Sequence, residues 1–507
     1  MNINNHKRKK RGAIKMSSSN ELFEIEWNSL DEFQKELHIP FTSEDEIESI
    51  FYTVYKKIFW YKQVRSPLEL KLAGDTLVYS VNTTYHQLTE LHMRMTWPTI
   101  RVKQQFLNTV QVAWCHNLAT NHVIYGSLFF DKMPVQTIDS YWFDIVSQYY
   151  MKPGFRDHYN KWVGNIPAME NWNSTLHSRI TNVHQPFFHT FDPTKSLPLY
   201  YFSKTASVVY TYRLRNTISE LLRMRVRKVN KSGVVESDWS EIPLNYKYLE
   251  GIDKSYRLPA PELWARYAYI SPIELDHLKK CTLNKDGTRS RTFYIDDVIV
   301  RDSPNEQKSG TISVPLDTKY PTKVVFHLPE NQTAYNNRNY SNYSSNADDL
   351  RLGLNPIESY SISYANTTNA QEFTTDLTEF AESWHFKSPP CEPGYGAHLI
   401  SYTPDSIDPD VGLILGKVNA VGNFKLKSNI FDDHNLEENQ KEEDDELEEL
   451  KPKKQNDTRD NHFRMRVRLL VTKKMVVRRL DSDNFDIKII SPIDGKSNNR
   501  LNSDLSS

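Results

Sequence analysis

His177, His184 and His189 lie close enough together for strands or turns to gather three imidazoles around a metal ion. Their spacing fits no standard site, so packing or surface roles are expected. The densest carboxylates, Glu442 to Glu449, suit acid–base work by type, but they sit in a segment unable to hold geometry. Two cationic rows, Arg223/Arg225/Arg227 and Arg464/Arg466/Arg468, alternate with apolar residues, so each row shares one face of a strand. Such a face can meet DNA or lipid headgroups; more ordinarily it meets water or an ion-pair partner. The 16 glycines include no phosphate-cradling loop, and neither a G-x-S-x-G elbow nor an H-E-x-x-H helix occurs. The expectation is therefore a protein without catalytic residues, cofactor or metal, and not an enzyme.

At 507 residues the chain exceeds one typical domain of ~150, which points to two or three units. Aromatics make up 12% of it, enough to fill large cores with residue types that favour strands. Its 63 basic residues nearly balance 64 acidic ones, so no global field draws it to nucleic acid or membrane. Cys115, Cys281 and Cys391 are too few and too scattered for a disulfide framework or Cys-rich zinc site, and a reducing compartment is the simplest expectation. Neither a transmembrane run of about 18 apolar residues nor a secretory leader is visible. The sequons at Asn82, Asn173, Asn331, Asn339, Asn342 and Asn366 are those an Asn- and Ser-rich chain produces by chance.

The elements that must position any site read as strands. Residues 1–21, with Lys7 to Arg11 and Ser17 to Ser19, form a flexible basic arm, and Met16 is an alternative start. Short alternating runs such as Leu68–Leu72, Leu77–Val81 and Val208–Tyr212 fill residues 22–229, with a helix or loop excursion between Ile138 and Gly164. A turn-like break at 230–240 reads as a linker, after which strand text resumes over 241–490. Within that second unit, Asn331 to Asn346 reads as a long exposed loop. Nine of the thirteen residues from Glu437 to Glu449 are acidic, so 432–460 reads as a disordered insertion. Residues 491–507 form a tail. Residues alone thus give a large all-β protein with no visible active site.

Five landmarks, in order, resemble the major capsid proteins of the nucleocytoplasmic large DNA viruses. Leu88 to Pro98 with Val112 to Leu118 and Ile124 to Asp131 is similar to the early strands. Gln185-Pro186-Phe187-Phe188-His189-Thr190-Phe191, then Leu197-Pro198 and Glu220-Leu221-Leu222, looks like the end of the family's first jelly roll. The stretch around Trp264, Tyr267 and Ser271 resembles the start of the second. Gly394 to Tyr402, containing Gly396, Ser401 and Tyr402, is similar to a late family stretch. The chain departs from the pattern at Leu413 to Val421, in its acidic insertion, and in lacking a Gly-rich tail.

The resemblance implies two consecutive eight-stranded antiparallel jelly rolls with long loops and short helical excursions. It also implies a homotrimer that mimics a hexagon and tiles a lattice, with minor capsid and penton proteins, and an internal viral membrane, as further partners. No sequence-specific nucleic acid is expected. The location implied is the virion capsid, assembled as a late protein in the host cytoplasm. Two alternatives stand beside this. One is a divergent paralogue serving as a same-fold scaffold, like the poxvirus protein that coats immature particles. The other is a carbohydrate-binding or carbohydrate-cleaving β-sandwich using its aromatic platforms.

Overall fold

Strict alternation of buried and wet residues explains the strands. In Gln87–Trp97, Leu91, Met93, Met95 and Trp97 are buried while Arg94 and Thr96 are exposed, the period of two that one core-facing sheet face requires. A computed structural model describes most of residues 60–490. Residues 1–59, 152, 188–196, 203–206, 229–236, 238, most of 271–288, 348–352, 366–371, 376–397, most of 403–418, 428–460, 480–484 and 491–507 lie outside the described residues. The basic arm, most of the expected linker, the acidic insertion and the tail therefore lie outside them, as do Phe188, His189, Ser271 and Gly396.

The described strands pair antiparallel. In the first half, one sheet has the order Trp60–Pro67, Glu262–Ile270, Gln87–Trp97, Arg179–His184. A second runs Glu69–Ala73, Thr76–Ser80, Val208–Leu214, Val123–Phe130, Met133–Asp139. A smaller sheet joins Ser240–Ile242, Leu222–Val226 and Val110–Trp114. In the second half, Arg289–Asp302, Phe463–Arg479, Thr322–Asn331 and His398–Ser401 form one sheet, with Phe485–Ile490 also on Phe463–Arg479. Gly310–Pro315, Val421–Leu426, Ile357–Ser363 and Glu372–Thr374 form the other. Neighbours far apart in sequence are the mark of a jelly roll rather than a meander.

Two expectations need correction. The segment around Trp264 and Tyr267, expected to open the second jelly roll, is instead a strand of the first half, between Trp60–Pro67 and Gln87–Trp97. Leu263, Ala265 and Tyr267 point into that half's core. The turn-like break before it separates Leu222–Val226 from Ser240–Ile242, which pair as a hairpin. Asn, Ser and Gly mark a hairpin turn as readily as a domain linker.

The second correction concerns Asn331 to Asn346, expected as an exposed loop. It begins with the helix Gln332–Asn336, capped by the Asn331 side chain, which accepts from the amides of Thr333 and Ala334. Asn339, Tyr340, Ser341, Asn342, Tyr343, Ser344 and Ser345 are all buried. Polar composition suggested water; the side chains find protein partners instead.

The excursion between Ile138 and Gly164 holds the helix Ser140–Ile145, a π-helical turn at Val146–Tyr150 and the helix Arg156–Val163. Asp139 caps the first by accepting from the Trp142 amide, and Gly164 ends the last at φ 89°. Among the described residues no helix is long and apolar enough to cross a membrane.

Candidate functional site

The most elaborate constellation is the seam between the two halves. It starts from the double-sided burial of one sheet. All ten residues of Thr322–Asn331 are buried. Val325 faces the second half's own core, while Val324, Phe326 and Leu328 join the first half's core. Among the described residues the His398–Ser401 partner spans only Val324 to His327, so Pro329, which has no amide to donate, falls outside that pairing. Phe326 meets Trp142 and Tyr149 from the helical excursion, with ring centroids 5.8 and 5.6 Å apart.

The neighbouring strand Phe463–Arg479 divides its residues in the same way. Phe463, Met465, Val467, Leu469 and Val471 face the inner core. The alternate residues Arg464, Arg466 and Arg468 form the second cationic row; Arg466 and Arg468 are turned away from water, while Arg464 stays half-exposed. Arg468 is 1% exposed and donates from Nε to Asp139 Oδ2 at 2.8 Å and from Nη1 to Asp302 Oδ1 at 2.6 Å. Arg466 reaches Asp302 Oδ2 at 2.7 Å and Glu330 Oε1 at 2.8 Å. Tyr141 donates to Glu330, and its ring lies 5.3 Å from the Arg466 guanidinium and 4.8 Å from that of Arg468. Arg464 pairs with Glu306 at 2.8 Å.

Burial disfavours both inner guanidinium charges. Tyr141, Glu330 and Asp302 around Arg466, and Asp139 and Asp302 around Arg468, outweigh it and hold both above their usual value. Asp139 and Tyr141 come from the first half and the rest from the second, so the network crosses the seam.

Two further contacts extend it. The strand Met133–Asp139 would present a bare outer edge. There Thr137 donates its amide to Asp297 Oδ1 at 3.0 Å, and Gln136 donates its side chain to the Asp296 carbonyl at 2.7 Å. Asp296 and Asp297 are held in turn by the buried Lys323 and by Lys473. The 331–346 segment clasps the other side. Tyr343 donates to Asp144 Oδ2 at 2.6 Å, Asn121 to Ser341 Oγ at 2.8 Å, and Tyr340 to the Glu220 carbonyl at 2.6 Å. Arg215 stacks 4.2 Å from the Tyr340 ring. Burial raises the Asp144 carboxyl above its ordinary range, only partly offset by the hydroxyls of Tyr343 and Ser341.

The residues singled out by family resemblance are spread through the cores. Phe187 is buried 5.0 Å from Tyr210, beside the buried Pro186. Leu197 exchanges backbone hydrogen bonds with Leu88, and Pro198 opens a short 3-10 turn. Tyr267 stacks on Tyr85 at 4.2 Å, whereas Trp264 is half-buried and donates to Glu262. Ser401 and Tyr402 are half-buried, and Tyr402 meets Tyr364. They are packing positions and converge on no reaction centre. His177 is exposed and His184 meets His92 edge-on. Among the described residues no group of His, Cys, Asp and Glu is arranged to hold a metal ion. The buried Cys115 thiol is pushed up to about 12 by burial, out of reach of nucleophilic chemistry. The seam itself escaped sequence reading. Its one signal was the strict Arg–apolar alternation after Phe463, which cannot say what the Arg face meets.

Comparison with known proteins shows what this architecture is similar to. Residues 49–270 match the family described as major capsid protein N-terminus. The major capsid protein of Invertebrate iridescent virus 3 is 23% identical over 425 residues, covering 78% of this chain and 86% of that one. That of Lymphocystis disease virus 1 is 24% identical over 352 residues, covering 65% and 71%. Among solved structures, the PBCV-1 virus capsid matches with a TM-score of 0.58 at 10% identity, over 85% of this chain and 97% of that one. The Faustovirus major capsid protein matches with a TM-score of 0.59 at 7% identity, over 88% and 93%. The fold is therefore the double jelly roll of viral capsid proteins. More particularly, the chain is a relative of the major capsid proteins of the nucleocytoplasmic large DNA viruses, which are structural proteins and not enzymes.

Proposed function

We propose that the chain is a structural subunit of a large icosahedral DNA-virus capsid, acting as a homotrimeric, pseudo-hexagonal capsomer. The observation that carries this reading is the cross-seam network of Asp139, Arg468, Asp302, Arg466 and Glu330, which fixes two jelly rolls as one block. A trimer of such blocks offers six similar β-units, and three-fold symmetry then tiles a surface as a hexagon does. The division between the units falls after Ile270, where the first half's last strand ends, rather than at 230–240. Lattice contacts with other trimers, minor capsid and penton proteins, and assembly in the host cytoplasm, belong to the same reading.

Light scattering on the purified full chain tests it. A species of about three times the 59.4 kDa monomer supports the capsomer, and a clean monomer at micromolar concentration refutes it. Detection of the protein in purified mature virions separates a shell subunit from a scaffold that is shed.

A further inference from the structure

The first cationic row has surroundings unlike the second. Arg223 and Arg225 share a face of Leu222–Val226, and Arg227 continues the alternation. Two half-buried indoles interleave with them. Arg223 and Arg225 lie 5.2 and 4.8 Å from the Trp172 ring, while Arg225 and Arg227 each lie 4.7 Å from the Trp239 ring. The result is a ladder in the order Arg223, Trp172, Arg225, Trp239, Arg227.

Among the described residues, two of its three arginines are not ion-paired. Arg223 pairs with Glu241. Arg225 donates to the neutral side-chain oxygen of Gln111 from Nε at 2.9 Å and from Nη2 at 2.5 Å, and Arg227 donates to the Asn108 carbonyl at 2.9 Å. Among the described residues, Arg225 and Arg227 thus meet only neutral acceptors. Burial, and repulsion from Arg223 and Arg227 against the pull of Glu241, hold Arg225 below its usual value. A nearby anion would relieve that repulsion. The rings hold the guanidiniums in place, so a ligand that binds them has less side-chain freedom to remove.

Successive arginines on one strand face repeat every ~7 Å, and so do alternate side chains of an extended peptide laid alongside. The chain carries a matching ligand. Glu437 to Glu449 holds nine acidic residues and one lysine, in a protein whose total charge is near balance. We propose that the Arg223–Trp172–Arg225–Trp239–Arg227 ladder is a docking site for an extended acidic polypeptide, and that its occupant is this chain's own run Glu437 to Glu449. Carboxylates then meet guanidiniums in charge-assisted hydrogen bonds across an aromatic-lined strip. The proposal does not depend on the capsid reading.

The test uses the full chain with its own run neutralised by Glu442→Gln, Glu443→Gln, Asp444→Asn, Asp445→Asn and Glu446→Gln. A fluorescein-labelled synthetic peptide of residues 437–449 is titrated in, and its anisotropy read at 50 and 300 mM salt. Binding is expected that weakens with salt. In the same background, Arg225→Gln with Arg227→Gln should weaken it about tenfold or more, as loss of charged hydrogen bonds requires. Arg227→Gln alone, which removes a contact to a backbone carbonyl and the stacking on Trp239, covers the case in which the double variant does not fold and should still weaken binding. Arg179→Gln, at an exposed position on a strand of another sheet, should leave it unchanged. Absence of binding, or equal binding to the ladder variants, overturns the proposal. So does a single-stranded oligonucleotide of the same net charge displacing the peptide at lower concentration, which would make the ladder a nucleic-acid site.

Discussion

Acid should loosen the second jelly roll through a buried histidine pair. His327 and His398 face each other across adjacent strands, with stacked rings 5.3 Å apart, and are 0% and 2% exposed. Tyr360 and Phe424 crowd His327, neither of whose ring nitrogens has a partner, while His398 Nε2 meets Asn355 Nδ2 at 2.9 Å. Burial pushes His398 down to about 4; burial, then the proximity of His398, pushes His327 well below its usual value. An unfolded chain takes up these protons near pH 6.5, whereas the folded chain refuses the His398 proton until about pH 4. Between those values the unfolded state binds more protons, so stability is complete above pH 6.5 and falls as pH falls. The slope is about 1.4 kcal/mol per pH unit for each histidine, so His398 alone contributes a loss of about 3 kcal/mol between pH 6.5 and 4.5.

His398→Gln keeps a side-chain acceptor for Asn355 and removes the titration. Urea unfolding of wild type and variant at pH 7.5 and pH 4.5 isolates the effect, because other titrating groups cancel in the double difference. Wild type should lose about 3 kcal/mol more than the variant over that interval. Glu90, held down to about 2 first by the His92 hydrogen bond and then, against burial, by Arg266, acts in the same direction in both proteins and drops out. Equal pH dependence of the two proteins would refute the reasoning.

Other substitutions probe the seam and the first core. Arg468→Met leaves the half-buried Asp139 without its cation and Asp302 with Arg466 alone, and should cost about 3–5 kcal/mol in urea unfolding. Adding Asp139→Asn should recover part of that loss, a non-additivity read from the double-mutant cycle. Tyr343→Phe strips a hydrogen bond from the buried Asp144 carboxyl and should cost about 1–3 kcal/mol by the same measurement. Gly126→Ala would place a methyl 2.6 Å from Cε1 of the buried Tyr212 on the adjacent strand, and should lower the thermal midpoint through overpacking worth about 1–3 kcal/mol.

Much of the fold was legible because two-residue alternation depends on local residue type alone. Leu222 to Arg227 and Phe463 to Leu469 both announce a strand with one apolar and one cationic face, and both form one. What each cationic face meets was illegible, because its partners lie far away in sequence: Trp172 and Gln111 for one row, Asp139 and Asp302 for the other. The same limit explains the Glu262–Ile270 strand. Its alternation was plain, but its partners are at residues 60–67 and 87–97, and no local signal states a register across that separation. The burial of Asn339 to Ser345 failed for a different reason. Asn and Ser usually mark loops because water satisfies them most cheaply, and here Asp144, Asn121 and backbone carbonyls take that place.

The seam bears on how the protein unfolds and assembles. If the halves were beads on a string, the outer face of Thr322–Asn331 would be wet and its strand would alternate. It is instead buried on both faces, and one hydrophobic cluster runs from Leu68 through Phe326 to Val477. Separating the halves would expose that face and, at the same time, strand a guanidinium among carboxylates. Apolar area would favour closure in many orientations. The forked contacts of Arg466 and Arg468 to Asp302, Glu330 and Asp139 satisfy all their partners in one. Burial thus supplies the drive to close, and the ion network selects the geometry. A shell subunit needs both, because an angular error between its two β-units would be repeated at every contact of the lattice.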